Sequence, residues 1–283
     1  MASQPTELPY FDGILERLAI DDPQTIAAFS RHVHWGYWPD PSTATGLGDD
    51  YAAAAERMCR AVCDAAKIQD GMRVLDVGCG FGGTIASLNE RFAELKLVGV
   101  NIDARQLERA HERVQPNHGN SIEFLQADAA DIPLPDESFD VVLAVECVFH
   151  FDRQRFFSEA ARLLDGEGNL ALSDFVPSER ALEYLDLIDF SANEEIRWSY
   201  GDVDLSYSID RYRQLAKANH FELRETNDIT AGTLPTYDFL YASTANWPDA
   251  QQVRLFTRAT RKLEKACRNE ILHYQILHFS RAT

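Results

Sequence analysis

The chain has 283 residues, enough for one large domain with elaborations or two modest ones, and its 45% hydrophobic content is that of an ordinary globular protein. Lysine and arginine number 27 against 45 aspartates and glutamates; the net charge of −18 repels phosphate backbones and anionic bilayers, so neither nucleic acid nor acidic lipid is expected as a partner. The five cysteines, Cys59, Cys63, Cys79, Cys147 and Cys267, lack the spacing of a disulfide framework or zinc site, which predicts plain packing, a reducing cytoplasm and no metal. Pro5 and Pro9 stand where a signal peptide needs an apolar run, and nothing approaches the ~20 apolar residues of a membrane span, so neither export nor membrane insertion is expected.

Residues 1–30 read as short helical segments, ending near the aromatic string His34-Trp35-Gly36-Tyr37-Trp38 and the loop from Pro39 to Ser42. The alanine-rich stretch 50–67 predicts a helix. Strands are then predicted at 74–77, 97–100, 122–125, 139–145 and 168–175, with helices at 84–93, 104–114 and 154–164 between them. That alternation implies an α/β domain whose parallel sheet is covered by helices on both faces. Residues 178–208 carry aromatics and acids without strand alternation and read as an inserted helical cap. A helix at 209–219, a strand at 221–229, a long helix at 250–270 and a final strand at 272–280 would complete the sheet's far edge. The resulting segments are an N-terminal helical lid (1–68), a core (69–176), the cap (177–208) and a C-terminal completion (209–283).

Chemistry concentrates where the first predicted strand ends. Gly78, Gly80 and Gly83 lie in a turn between strand and helix, where backbone can approach a ligand and the helix N-terminus offers free N–H groups. By spacing alone this turn fits a nicotinamide or flavin dinucleotide as well as any other adenosyl cofactor. Asp76 lies just before it, where a carboxylate would attract a cationic ligand and repel a pyrophosphate; the alternative is a buried acid satisfied by backbone N–H groups. The acid that would bond a dinucleotide's ribose, some 20 residues on, is replaced by Asn101. Asp128, after the third strand, suits an adenine amino group, or else caps a short turn.

The string Val74-Leu75-Asp76-Val77-Gly78-Cys79-Gly80-Phe81-Gly82-Gly83 resembles the first motif of the class I S-adenosylmethionine (SAM)-dependent methyltransferases. Residues 136–142 are similar to that class's entry to strand four, and 162–168 to its turn before strand five. Residues 98–103 and the aromatic string at 34–38 resemble the small-molecule branch, which holds tocopherol and sugar O-methyltransferases, sarcosine N-methyltransferases and cyclopropane-fatty-acid synthases. The resemblance implies a Rossmann-like seven-stranded sheet, mostly parallel with one reversed edge strand, and SAM as cofactor. It implies that Asn101 and Gln106 share the ribose hydroxyls and that the methionine end lies against Gly78 to Gly80 and near Glu146. Cys79, Ile102, Ala129 and Val145 complete the implied cofactor set, and Tyr37 is the lid's contact. Gln106 has a competing reading as the partner of Asp103 in a capping box.

Methyl transfer from a sulfonium requires alignment and exclusion of water, and a hydroxyl nucleophile must also lose a proton. His150, beyond the fourth strand, is the candidate general base, with Glu146 in reserve; the plain alternative is a histidine packed between Phe149 and Phe151. Tyr184, Trp198 and Tyr200 are candidate walls of the acceptor pocket, or simply the cap's own core. The expected reaction is methylation of a small-molecule acceptor, at oxygen first. Nitrogen, and carbon of an isoprenoid or lipid, remain alternatives, as do a SAM-binding protein without turnover and a nicotinamide-dependent oxidoreductase. A homo-oligomer is left open.

Overall fold

The computed structural model describes residues 9–182, 193–247 and 249–282. Strands β1 (Arg73–Val77), β2 (Lys96–Asn101), β3 (Ser121–Gln126), β4 (Phe139–Ala144), β5 (Leu164–Pro177), β6 (Phe221–Asp228) and β7 (Leu272–Arg281) form one sheet in the order β3-β2-β1-β4-β5-β7-β6. β1 runs parallel to β2 and β4, β2 to β3, and β4 to β5. Burial explains the central place of β1, since Val74, Leu75, Asp76 and Val77 are all sealed from water. Helices α4 (Gly83–Arg91), α5 (Ala104–Arg113) and α6 (Arg153–Leu163) connect these strands. β5 starts at Leu164, earlier than the predicted 168, because Phe139 pairs with Leu164 before the register shifts to Val141 with Asn169.

One expectation is corrected. The reversed strand is not at the sheet's edge. The Ser178 N–H meets the Ile271 carbonyl and His278 Nε2 meets Asn169 Oδ1, so β7 runs opposite to β5; the bonds Ile229 N–H to Tyr274 O and Ala282 N–H to His220 O run it opposite to β6 as well. Composition gives the reason. β7 is apolar and buried for most of its length, as an interior strand must be, whereas β6 (Phe-Glu-Leu-Arg-Glu-Thr-Asn-Asp) is exposed and charged, which suits an edge that must not pair further.

The excess of acid is used in part at helix starts. Asp22, Asp103, Asp152 and Asp249 cap α2 (Pro23–Phe29), α5, α6 and α12 (Ala250–Arg268), each accepting a backbone N–H of the first turn. Two compact units result. One comprises the described parts of Met1–Arg57, Phe175–Ser208 and Asp228–Tyr274; the other comprises those of Met58–Asp174, Ile209–Asn227 and Gln275–Thr283. They cut across the segments read from sequence, since 228–274 cluster with the N-terminal and cap segments. The first unit is built around Trp38, Tyr51, Phe239 and Phe256, with Tyr51 stacked on Phe239 at 4.1 Å between ring centroids. Its helices include α3 (Gly48–Ala65) as far as Arg57, α8 (Glu194–Tyr200), α10 (Thr230–Thr233), α11 (Pro235–Ser243) and α12. The second unit contains β1 to β4, α4 to α6 and α9 (Ile209–Ala218). Among the described residues no helix is long and apolar enough to cross a membrane.

Candidate functional site

The second unit gathers the glycine turn, Asp76, Asn101, Gln106 and the start of the turn after β4 at the C-terminal ends of adjacent parallel strands, where open α/β sheets present ligands. Gly78, Gly80 and Gly82 have φ of 74°, 54° and 77°, a left-handed backbone that a residue with a β-carbon adopts only with strain. The N–H groups of Gly78 and Cys79 both reach the Val100 carbonyl, at 2.8 and 3.0 Å, so the turn is tied to the end of β2. The Cys147 thiol ties the start of the next turn to β1 by donating to the Val77 carbonyl at 3.2 Å. A β-carbon on Gly78 would stand 2.8 Å from Cys147 Sγ, so the close approach there admits glycine alone.

Asp76 lies beneath this cradle, 1% exposed. Burial pushes its carboxyl up to about 8, against a smaller opposing effect of the Thr84 hydroxyl. Its Oδ2 takes no hydrogen bond among the described residues. The plain reading, an acid satisfied by backbone N–H groups, is therefore not what the fold provides. A neutral carboxyl with an open oxygen is poised to ionise when a cationic ligand arrives.

Asn101 and Gln106 are both buried and face each other, with Asn101 Nδ2 donating to Gln106 Oε1 at 2.9 Å. The Asp103 N–H goes to Asn101 Oδ1 at 3.1 Å and the Asp103 carboxylate caps Arg105, so the backbone half of the capping box is replaced, while Gln106 Nε2 still reaches Asp103 Oδ2 at 3.5 Å. Asp128 accepts the Ala130 N–H through Oδ1 at 2.9 Å and so does cap a turn; its other oxygen takes no hydrogen bond among the described residues. Ala129 and Val145 are buried, and the Ile102 carbonyl accepts from Gln126 Nε2. Burial also raises the Cys79 thiol well above its ordinary range, which keeps it protonated.

Glu146 has a φ of 52°, and its N–H is taken by Ser173 Oγ at 3.0 Å. His150 ends the short 3-10 turn Val148–His150 and is half-buried, with its ring edge-on to Phe149 at 4.6 Å. Tyr37, Trp198 and Tyr200 belong to the first unit. The Tyr37 ring fills the space that Gly232 leaves, its N–H meets the Ala54 carbonyl, and its own carbonyl accepts from Arg57. Trp198 and Tyr200 pack against the aromatic core, and the Tyr200 hydroxyl is hydrogen-bonded to Thr260 at 2.7 Å. Tyr184 lies outside the described residues. Sequence reasoning missed a wholly buried trio in the second unit, Arg153, Asp174 and Tyr212. An arginine in the polar string Asp152-Arg153-Gln154-Arg155 carries no signal of burial.

Comparison with known proteins bears on this arrangement. The model of the methyltransferase domain family matches residues 75–172. Methyltransferase GfsG of Streptomyces halstedii is 35% identical over 74% of this chain and 73% of its own length. The 27-O-demethylrifamycin SV methyltransferase of Amycolatopsis mediterranei is 31% identical over the same shares. Among solved structures, the mycolic acid cyclopropane synthase CmaA1 complexed with S-adenosylhomocysteine aligns over 97% of this chain and 99% of its own, with a TM-score of 0.75 at 17% identity. SAM is the cofactor, and the residues present fit it: a glycine cradle that any β-carbon would fill, and a buried carboxyl with an open oxygen for a cationic ligand. The chain belongs to the class I SAM-dependent methyltransferases, in their small-molecule branch.

Proposed function

We propose that the chain methylates a hydroxyl oxygen of a small-molecule acceptor and that His150 removes the hydroxyl proton. The observation carrying this reading is the partial burial of His150: its neighbours Val148 and Phe149 are buried, while His150, its ring edge-on to Phe149, is only partly buried beyond the end of β4. The Amycolatopsis relative is by its name an O-methyltransferase, which supports oxygen over nitrogen or carbon. When bound, SAM supplies an electrophilic methyl group on a sulfonium sulfur, and methylation is an in-line displacement. Asp76 would accept from the cofactor's cationic end, the backbone of Gly78 and Gly80 would admit it closely, and the paired amides of Asn101 and Gln106 would face its ribose. Asp128, with its second oxygen open, would take the adenine amino group beside Ala129, while Ile102 and Val145 would line the cofactor. The proton of the acceptor's hydroxyl moves to the His150 imidazole as the oxygen takes the methyl group. Glu146 would orient the acceptor at the entrance of the same turn. Five unbridged thiols support a cytoplasmic setting, and the charge of −18 supports a small molecule over nucleic acid as partner.

The test is turnover of an acceptor found by mass gain, with His150→Ala alongside. The variant should lose roughly 10² in kcat with SAM affinity unchanged. Unimpaired turnover contradicts the assignment.

A further inference from the structure

The turn that leaves β4 carries both Glu146 and His150, and two consecutive residues of β5 hold its ends. At its start, Ser173 Oγ accepts the Glu146 N–H at 3.0 Å. At its finish, Asp174 Oδ2 accepts from Nη2 of Arg153, the first residue of α6, at 2.8 Å. Successive side chains of a strand point to opposite faces, so the turn is gripped on both faces of the sheet. Tyr212 on α9 completes the second grip, its hydroxyl accepting from Arg153 Nε at 2.9 Å and donating to Asp174 Oδ2. All four side chains are buried.

Neither stability nor helix formation accounts for this arrangement. A buried ion pair is often no better for stability than apolar residues of equal volume, because desolvation offsets the attraction. A cation in the first turn of α6 is opposed by the helix dipole, and α6 is already capped by Asp152. Glu146, meanwhile, holds a left-handed conformation that persists only when its surroundings impose it.

We propose that Ser173, Asp174, Arg153 and Tyr212 form a positioning clamp that fixes the Glu146 to His150 turn for the acceptor. The proposal rests on the reading that this turn bears the proton acceptor. Arg153 and Tyr212 touch no reacting atom; they act through the turn.

The experiment uses the full chain with SAM bound and replaces the clamp's polar trio by apolar residues, Arg153→Met/Asp174→Leu/Tyr212→Phe, with Tyr212→Phe and Arg153→Lys alone as milder variants. The triple variant should keep its Tm, yet amide exchange at residues 146–151 should quicken about tenfold while β1 is unchanged. Acceptor turnover should fall about tenfold or more with SAM affinity nearly constant, and Arg153→Lys should recover part of it. A purely structural role would instead lower Tm and leave the turnover of folded protein intact. If the triple variant does not fold, Tyr212→Phe is the deciding variant, with exchange at 146–151 expected to be faster by about threefold or more. Unchanged exchange at 146–151 in a folded variant overturns the clamp. Faster exchange combined with full activity of His150→Ala supports the clamp and removes the base assignment alone.

Discussion

The end of β1 and the aromatic core of the first unit do different work with different materials. At the end of β1 the chain uses backbone: three glycines and, after the neighbouring β4, Glu146 in left-handed conformations, beside the buried Asp76 carboxyl whose Oδ2 takes no hydrogen bond among the described residues. Around Trp38 it uses bulk, with rings of Tyr51, Phe29 and Phe239 in edge and stacked contacts, and Trp38 Nε1 donating to Asp50 at 3.1 Å. The comparison teaches that glycine-dependent backbone set against a buried carboxyl with an unbonded oxygen marks the part of the molecule left ready for a ligand, while close-packed rings mark the part that only has to hold.

The largest effect should fall on holding. Trp38→Ala removes a ring that is 2% exposed and should destabilise by about 3–5 kcal/mol in denaturant titration. A loss below about 1 kcal/mol would break the contrast, since the core would then not depend on that bulk. Next comes Gly78→Ala, which combines a φ of 74° with a 2.8 Å approach to Cys147 Sγ. It should destabilise by about 1–2 kcal/mol and abolish measurable SAM binding, whereas Gly166→Ala, with nothing within 4 Å, should be neutral.

Asp76 sharpens the comparison through pH. Its folded carboxyl titrates near 8, above the ordinary 3.8, so between those values the folded protein keeps a proton that the unfolded chain has released. Its contribution to stability is therefore present at acid pH and lost as pH rises toward 8. Asp76→Asn should remove that loss, raising ligand-free Tm relative to wild type at pH 8 and converging with it near pH 4. SAM affinity of the wild type should in turn rise by up to about tenfold per pH unit toward 8, because the ionised form is the one that binds a cation. The smallest effect is expected of Tyr200→Phe, which loses one hydrogen bond to Thr260 and should destabilise by about 1 kcal/mol with turnover unchanged. A fall in turnover without a fall in stability would support Tyr200 as a wall of the acceptor pocket.

The same contrast explains what is legible in the sequence. The string 74–83 can be read because glycines at fixed offsets after a buried strand have few other uses, and β1 to β4 because apolar runs and caps repeat regularly. The strand character of β7 is plain, but its place is not: order in a sheet depends on which strand can bear exposure, and that emerges only from comparing β7 with β6. Helices α10 and α11 escape a reading of the sequence because Thr230-Ala-Gly-Thr-Leu-Pro235 resembles a loop, although Pro235 stands at a permitted first helical position. Arg153 is invisible there because its partners lie 21 and 59 residues away.

Calorimetric titration with SAM and S-adenosylhomocysteine, on wild type, Asp76→Ala and Asp128→Ala, tests the central claim most directly. The account predicts micromolar binding of both ligands, weakened at least about tenfold by Asp76→Ala and less by Asp128→Ala, whose carboxylate also caps a turn. Absence of binding in the wild type, or binding indifferent to Asp76, would contradict it.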